Sequence, residues 1–153
     1  MANPQDTDNF QVISSTGRVI QDGDKFQIGP FEEYGSIITF GALCGSGYTY
    51  TQGAVYTLET IDGIKYIKDT QGNWYLAIND EDETTFSEEL PEKEFRIRIV
   101  QDKRFKSIMS LATWDGDERF GIEWVKAMCG VIRLSYDDEF PYDYEFRFQF
   151  KLI

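Results

Sequence analysis

The sequence predicts an all-β domain of antiparallel strands, and three observations carry that expectation. Apolar residues recur with period two along most of the chain, tight-turn pairs such as Asp-Gly and Gln-Gly separate the alternating runs, and 16% of the 153 residues are aromatic. Alternation sends successive side chains to opposite faces, so each run has a core face and a solvent face.

The clearest run is AVYTLETIDGIKYIKDTQGNWYLAIND, residues 54–80. Tyr56, Leu58 and Thr60 share one face, Asp62-Gly63 turns the chain, and Ile64, Tyr66 and Lys68 return. Gln71-Gly72 turns it again into a third strand, where Trp74 stands in phase with Leu76 and Ile78 and is expected in the core, with Tyr75 outward. At the end of the chain Phe146, Phe148, Phe150 and Leu152 alternate with Glu145, Arg147, Gln149 and Lys151. Phe95, Ile97 and Ile99 alternate in the same way with Glu94, Arg96 and Arg98, so EFRIRI and EFRFQF read as equivalent positions of an internal repeat. QDGDKFQI at Gln21, IDGIKYIK at Ile61 and WDGDERFGI at Trp114 add a threefold hint, each with Asp-Gly and then a basic residue before Phe or Tyr.

Against this pattern, GNWYLAINDEDETTFSEELPEKEFRIRIV, residues 72–100, resembles the middle of a lobe in the β-trefoil superfamily. In such a lobe a strand carrying a Tyr-Leu pair leads through a loop to a strand that begins near an aromatic. The resemblance extends over residues 54–100, more loosely over 107–153, and poorly over the first fifty, where FEEYGSIITFGALCGSGYTYTQG lacks a closing aromatic strand. It implies a β-trefoil-like barrel. Alternation alone also admits a lipocalin-like barrel or a two-sheet β-sandwich. One segment dissents, since Phe120, Trp124 and Met128 fall at helical spacing between Asp117 and Gly130, which predicts a single short helix near 117–129.

Length and charge bound the rest. A chain of 153 residues suits one domain, with residues 1–9 expected as a flexible N-terminal segment. The opening MANPQDTDNF lacks a basic and apolar leader pattern, and no apolar run is long enough to span a bilayer, so the expected location is cytoplasmic. A formal charge of −12 opposes binding to nucleic acid and to anionic membranes. The complete absence of histidine removes Ser-His-Asp and Cys-His catalysis and His-based metal centres. Cys44 and Cys129 have no zinc-ligand spacing and are expected as free thiols.

No cofactor or metal is expected. The glycine-rich GALCGSGYTYTQG has no Walker lysine, and a calcium loop begun at Asp115 would place Phe120 where the turn glycine belongs. The acidic clusters NDEDE, DGDE and YDDEFPYDYE read as solvated turns between strands.

What remains is a recognition surface. A flat ring stacks on the apolar face of a pyranose while carboxylates and amides bind its hydroxyls, so aromatics beside Asp or Asn in turns are sugar-site candidates. Trp114 with Asp115 and Asp117, Tyr75 with Asn79, and Tyr142 with Asp143 meet that description. The expectation is a non-enzymatic binding module, carbohydrate-binding and lectin-like, with a glycan as partner. The alternative is a protease inhibitor or other protein-binding domain that uses an acidic loop surface. The two differ in the salt dependence of binding.

Overall fold

A computed structural model describes residues 5–6, 11–30, 37–40, 47–50, 54–81, 83–101, 105, 107–115, 118–125, 131–135 and 147–153. They form an all-β, antiparallel architecture that includes a 3-10 turn at Lys93–Phe95. After a short β1 (Gln5–Asp6), which pairs with β9, the strands fall into three groups of four. The first is β2 (Phe26–Pro30), β3 (Ile37–Phe40), β4 (Gly47–Tyr50) and β5 (Tyr56–Ile61). The second is β6 (Ile64–Asp69), β7 (Tyr75–Ile78), β8 (Thr84–Ser87) and β9 (Ile97–Gln101). The third is β10 (Met109–Asp115), β11 (Glu118–Val125), β12 (Val131–Ser135) and β13 (Phe148–Leu152).

In every group the two middle strands form a hairpin, β3–β4, β7–β8 and β11–β12. The outer strands join one sheet in the order β9-β10-β13-β2-β5-β6. At each junction the closing strand of one group opposes the opening strand of the next in a common register. Leu58 faces Ile67, Ile99 faces Leu111, and Phe150 faces Ile28, and all of these side chains are buried. The expected trefoil-like arrangement is therefore present. β6 and β9 approach each other without a shared ladder, so the sheet is not closed. Arg96, just before β9, crosses this gap, donating from Nη1 to the Tyr66 hydroxyl at 3.0 Å and from Nε to the Pro91 carbonyl at 2.7 Å.

Aromatic packing fills the interior. Phe26 and Phe150 stack with centroids 5.0 Å apart, while Tyr56 touches Phe26, Phe40 and Phe86 at 6.4, 5.8 and 6.2 Å. The buried Tyr56 hydroxyl is satisfied within the same cluster, accepting from Phe40 N at 3.2 Å and donating to Ile38 O at 3.4 Å. That pair of bonds ties the first hairpin to β5 of the main sheet.

Four expectations change. The helix near 117–129 is not formed, because Glu118–Val125 is a strand. Its backbone is paired on both sides, with β10 and with β12. Gly121 weakens the competing helix. The closing aromatic of the first lobe exists after all: it is Tyr56, in the position held by Ile97 and Phe148 in the other two. The Asp-Gly turns are not three equivalents, since Asp22-Gly23 precedes β2 and Asp62-Gly63 precedes β6, whereas Asp115 ends β10 inside the third group. The first turn is fastened to β5, Asp22 accepting from Thr60 N and Oγ1 at 2.9 Å each.

The fourth change concerns Trp74, which is 43% exposed and precedes β7. Asn73 has φ 56°, and this left-handed residue breaks the alternation before the strand begins. Asp69 fastens the same turn by accepting from Gly72 N and Trp74 N, both at 3.0 Å. Cys44 and Cys129 lie outside the described residues.

Candidate functional site

The second lobe carries a surface depression of about 380 Å³. Ala77, Ile78, Asn79 and Asp80 supply one wall from the end of β7, Thr85, Phe86 and Ser87 supply another from β8, and Pro91, Glu92 and Phe95 supply a third. The β7–β8 ladder sets these two walls side by side, with Ala77 opposite Thr85 and Ile78 opposite Thr84. The third wall is held by the bond from Phe95 N to Glu92 O at 2.9 Å and by the Arg96 guanidinium on Pro91. Both phenylalanines are half-buried, so ring surface is left at the depression.

Asn79 is placed by its own turn. Its Oδ1 accepts from Glu81 N at 2.9 Å and Glu83 N at 3.0 Å, while its backbone N donates to Glu83 O. The acceptor end of the amide is thereby used and the Nδ2 donors are left to whatever enters the depression. Replacing Asn79 by Ala removes both acceptor bonds and is expected to lower stability by about 1–2 kcal/mol in chemical denaturation. Asn79→Asp keeps the acceptors and should recover most of that loss.

Among the described residues that line the depression the charged ones are Asp80 and Glu92, with no Lys or Arg among them, and the exposed Glu88, Glu89 and Glu94 lie in the adjoining connection together with Lys93. A ligand bearing negative charge is disfavoured there.

Tyr75 belongs to a separate cluster. Its hydroxyl donates to Glu59, which also pairs with Lys68 at 3.4 Å, and the Lys68 ammonium sits 4.9 Å from the Tyr75 ring centre. The Tyr66 ring meets Tyr75 edge-on at 6.1 Å. The hydrogen bond to Glu59, followed by desolvation, pushes the Tyr75 phenol up to about 12. Because this folded-state value lies above the ordinary 10.0, the stabilisation is complete below pH 10 and is lost as pH rises towards 12. A near-ultraviolet absorbance titration should lose one late-ionising tyrosine in Tyr75→Phe, and Glu59→Gln should return that tyrosine towards the ordinary value.

The other sequence candidates fall elsewhere. Trp114 and Asp115 end β10, opposite Arg119 and Glu118, in the β10–β11 hairpin. Asp117, Tyr142 and Asp143 lie outside the described residues. The structure thus brings together Asn79 with Phe86, which the sequence reading did not single out, and with Phe95, which alternation had grouped with Ile97 and Ile99. Among the described residues no three or more Cys, Asp or Glu gather as metal ligands, and no helix is long and apolar enough to cross a membrane.

No family model matches the sequence, and no curated protein matches it. Solved structures do resemble it. A protein described as the BEL beta-trefoil, in an apo crystal form, superposes with a TM-score of 0.63 at 12% identity, over 87% of this chain and 95% of that one. The water-soluble chlorophyll protein from Brassica oleracea var. Botrytis, with chlorophyll b, gives 0.65 at 15%, over 94% and 98%. Alocasin, a protease inhibitor from giant taro, gives 0.64 at 13%, over 94% and 99%. At such identities the likeness carries the fold, and the chain is an all-β domain of the β-trefoil-like architecture.

Proposed function

We propose that this chain is a non-enzymatic carbohydrate-binding module whose sugar seat is the depression of the second lobe. The observation that supports it is the composition of that depression, with the half-buried rings of Phe86 and Phe95 beside the Asn79 amide and the carboxylates of Asp80 and Glu92. Rings offer stacking surface to the C–H face of a pyranose, and the amide and carboxylates offer directional bonds to its hydroxyls. A volume of about 380 Å³ is in the range of small-ligand sites. A glycan array probed with the labelled chain tests the reading. Binding to uncharged glycans supports it, and an array with no binder defeats it.

A protein partner is the second reading, drawn from the fold likeness to the protease inhibitor alocasin and from the charge of −12. An acidic domain that engages a basic protein associates more slowly as salt rises. Inhibition assays against trypsin-like proteases at low and high ionic strength separate this reading from the first.

A further inference from the structure

We propose that the depression and Trp74 are successive subsites for one oligosaccharide chain, an inference that rests on the carbohydrate reading above. The register of the β7–β8 hairpin brings them together. Ser87 lines the depression and pairs with Tyr75, the residue next to Trp74. One ladder spacing and one step along the chain place the Trp74 Cα within about 10 Å of the Ser87 Cα. A neighbouring unit of a chain seated in the depression meets the tryptophan over that distance.

A single exposed aromatic is common on protein surfaces and by itself means little. Trp74 differs in being fixed. Its backbone N donates to Asp69 and its carbonyl accepts from Asp69 N, both at 3.0 Å, so the residue is clamped at both ends of its peptide. The indole lies against Gly72, where a Cβ would come within 2.9 Å of Nε1, so the absence of a side chain there makes room for the ring. The residue is 43% exposed on this hydrogen-bonded turn. Little conformational freedom is left to lose when a ligand stacks on it, which is the condition for useful affinity from one contact.

The carboxylates of Asp80 and Glu92 define the chemistry of the ligand as an uncharged oligosaccharide. Gly72 acts as a positioning residue for the platform.

Isothermal titration of the intact chain with N-acetylglucosamine, galactose and mannose, each as the monosaccharide and as linear neutral oligomers, tests this. Affinity should rise about tenfold from the monosaccharide to the oligomer of the preferred sugar, the scale of one aromatic stack. Trp74→Ala should abolish that rise and leave monosaccharide affinity unchanged, Trp74→Phe should keep most of it, and Gly72→Ala should reduce it by displacing the ring. Oligomers binding Trp74→Ala as tightly as the wild type would overturn the two-subsite arrangement while leaving the depression as the sugar seat. Absence of binding by every sugar would overturn both.

Discussion

Phe150→Ala is expected to lower the free energy of unfolding by about 3–5 kcal/mol, read from chemical denaturation followed by circular dichroism. The ring is fully buried, stacks on Phe26 at 5.0 Å, and sits on β13 opposite Ile28, in the layer that also joins Leu58 to Ile67 and Ile99 to Leu111. Its removal leaves a void at the seam between the third lobe and the first. Collapse around that void is restricted because the strands on either side are both laddered, so the cavity contribution adds to the lost transfer energy. Phe150→Leu retains most of the volume and should lose roughly half as much. A loss below about 1 kcal/mol for the alanine variant would mean that the three junctions do not share one packed layer.

Phe95→Ala is expected to weaken glycan binding by about fivefold to thirtyfold, corresponding to about 1–2 kcal/mol, with little change in fold. The choice of residue follows from its surroundings. Phe86 also lines the depression but stacks on Tyr56 at 6.2 Å, so its removal would damage core and site together. Phe95 stands in the 3-10 turn, whose backbone is held separately by Glu92 O and by the Arg96 bond to Pro91. Titration calorimetry with a neutral glycan measures the change directly. Sialylated or sulfated versions of the same glycan should bind more weakly to the wild type than the neutral form, because Asp80 and Glu92 oppose their charge.

The architecture was legible in the alternation, and the reason is physical. A strand with one buried face must place apolar residues at every second position, as Phe148 and Phe150 or Ile97 and Ile99 do, so the period is written into the sequence. EFRIRI and EFRFQF did mark equivalent strands, β9 and β13, each closing its lobe beside β10. The recurring Asp-Gly was a poorer guide. A two-residue turn with left-handed φ at both positions, such as Asp62 at 52° and Gly63 at 81°, is required wherever strands reverse tightly, so its recurrence need not track a repeat.

Helical spacing misled at 117–129 because Phe120 and Trp124 satisfy two periods at once, and only pairing with β10 and β12 decides between them. The depression was legible in part. Asn79 was accessible to sequence reasoning as an amide in a turn. Phe95 was not, because the alternation that predicts β9 also claims Phe95 for the core, while the strand begins only at Ile97. Trp74 was assigned to the core for the same reason, although Asp69 followed by Gly72 and Asn73 carried a turn signal that could have ended the strand register before it.

Backbone amide spectra of the isotopically labelled chain, titrated with a neutral glycan selected on the array, test the central proposal most directly. Perturbations concentrated at Ile78–Asp80, Thr85–Ser87 and Glu92–Phe95 are the predicted result. Saturable binding that shifts only other regions, such as the β10–β11 hairpin that carries Trp114, would contradict it.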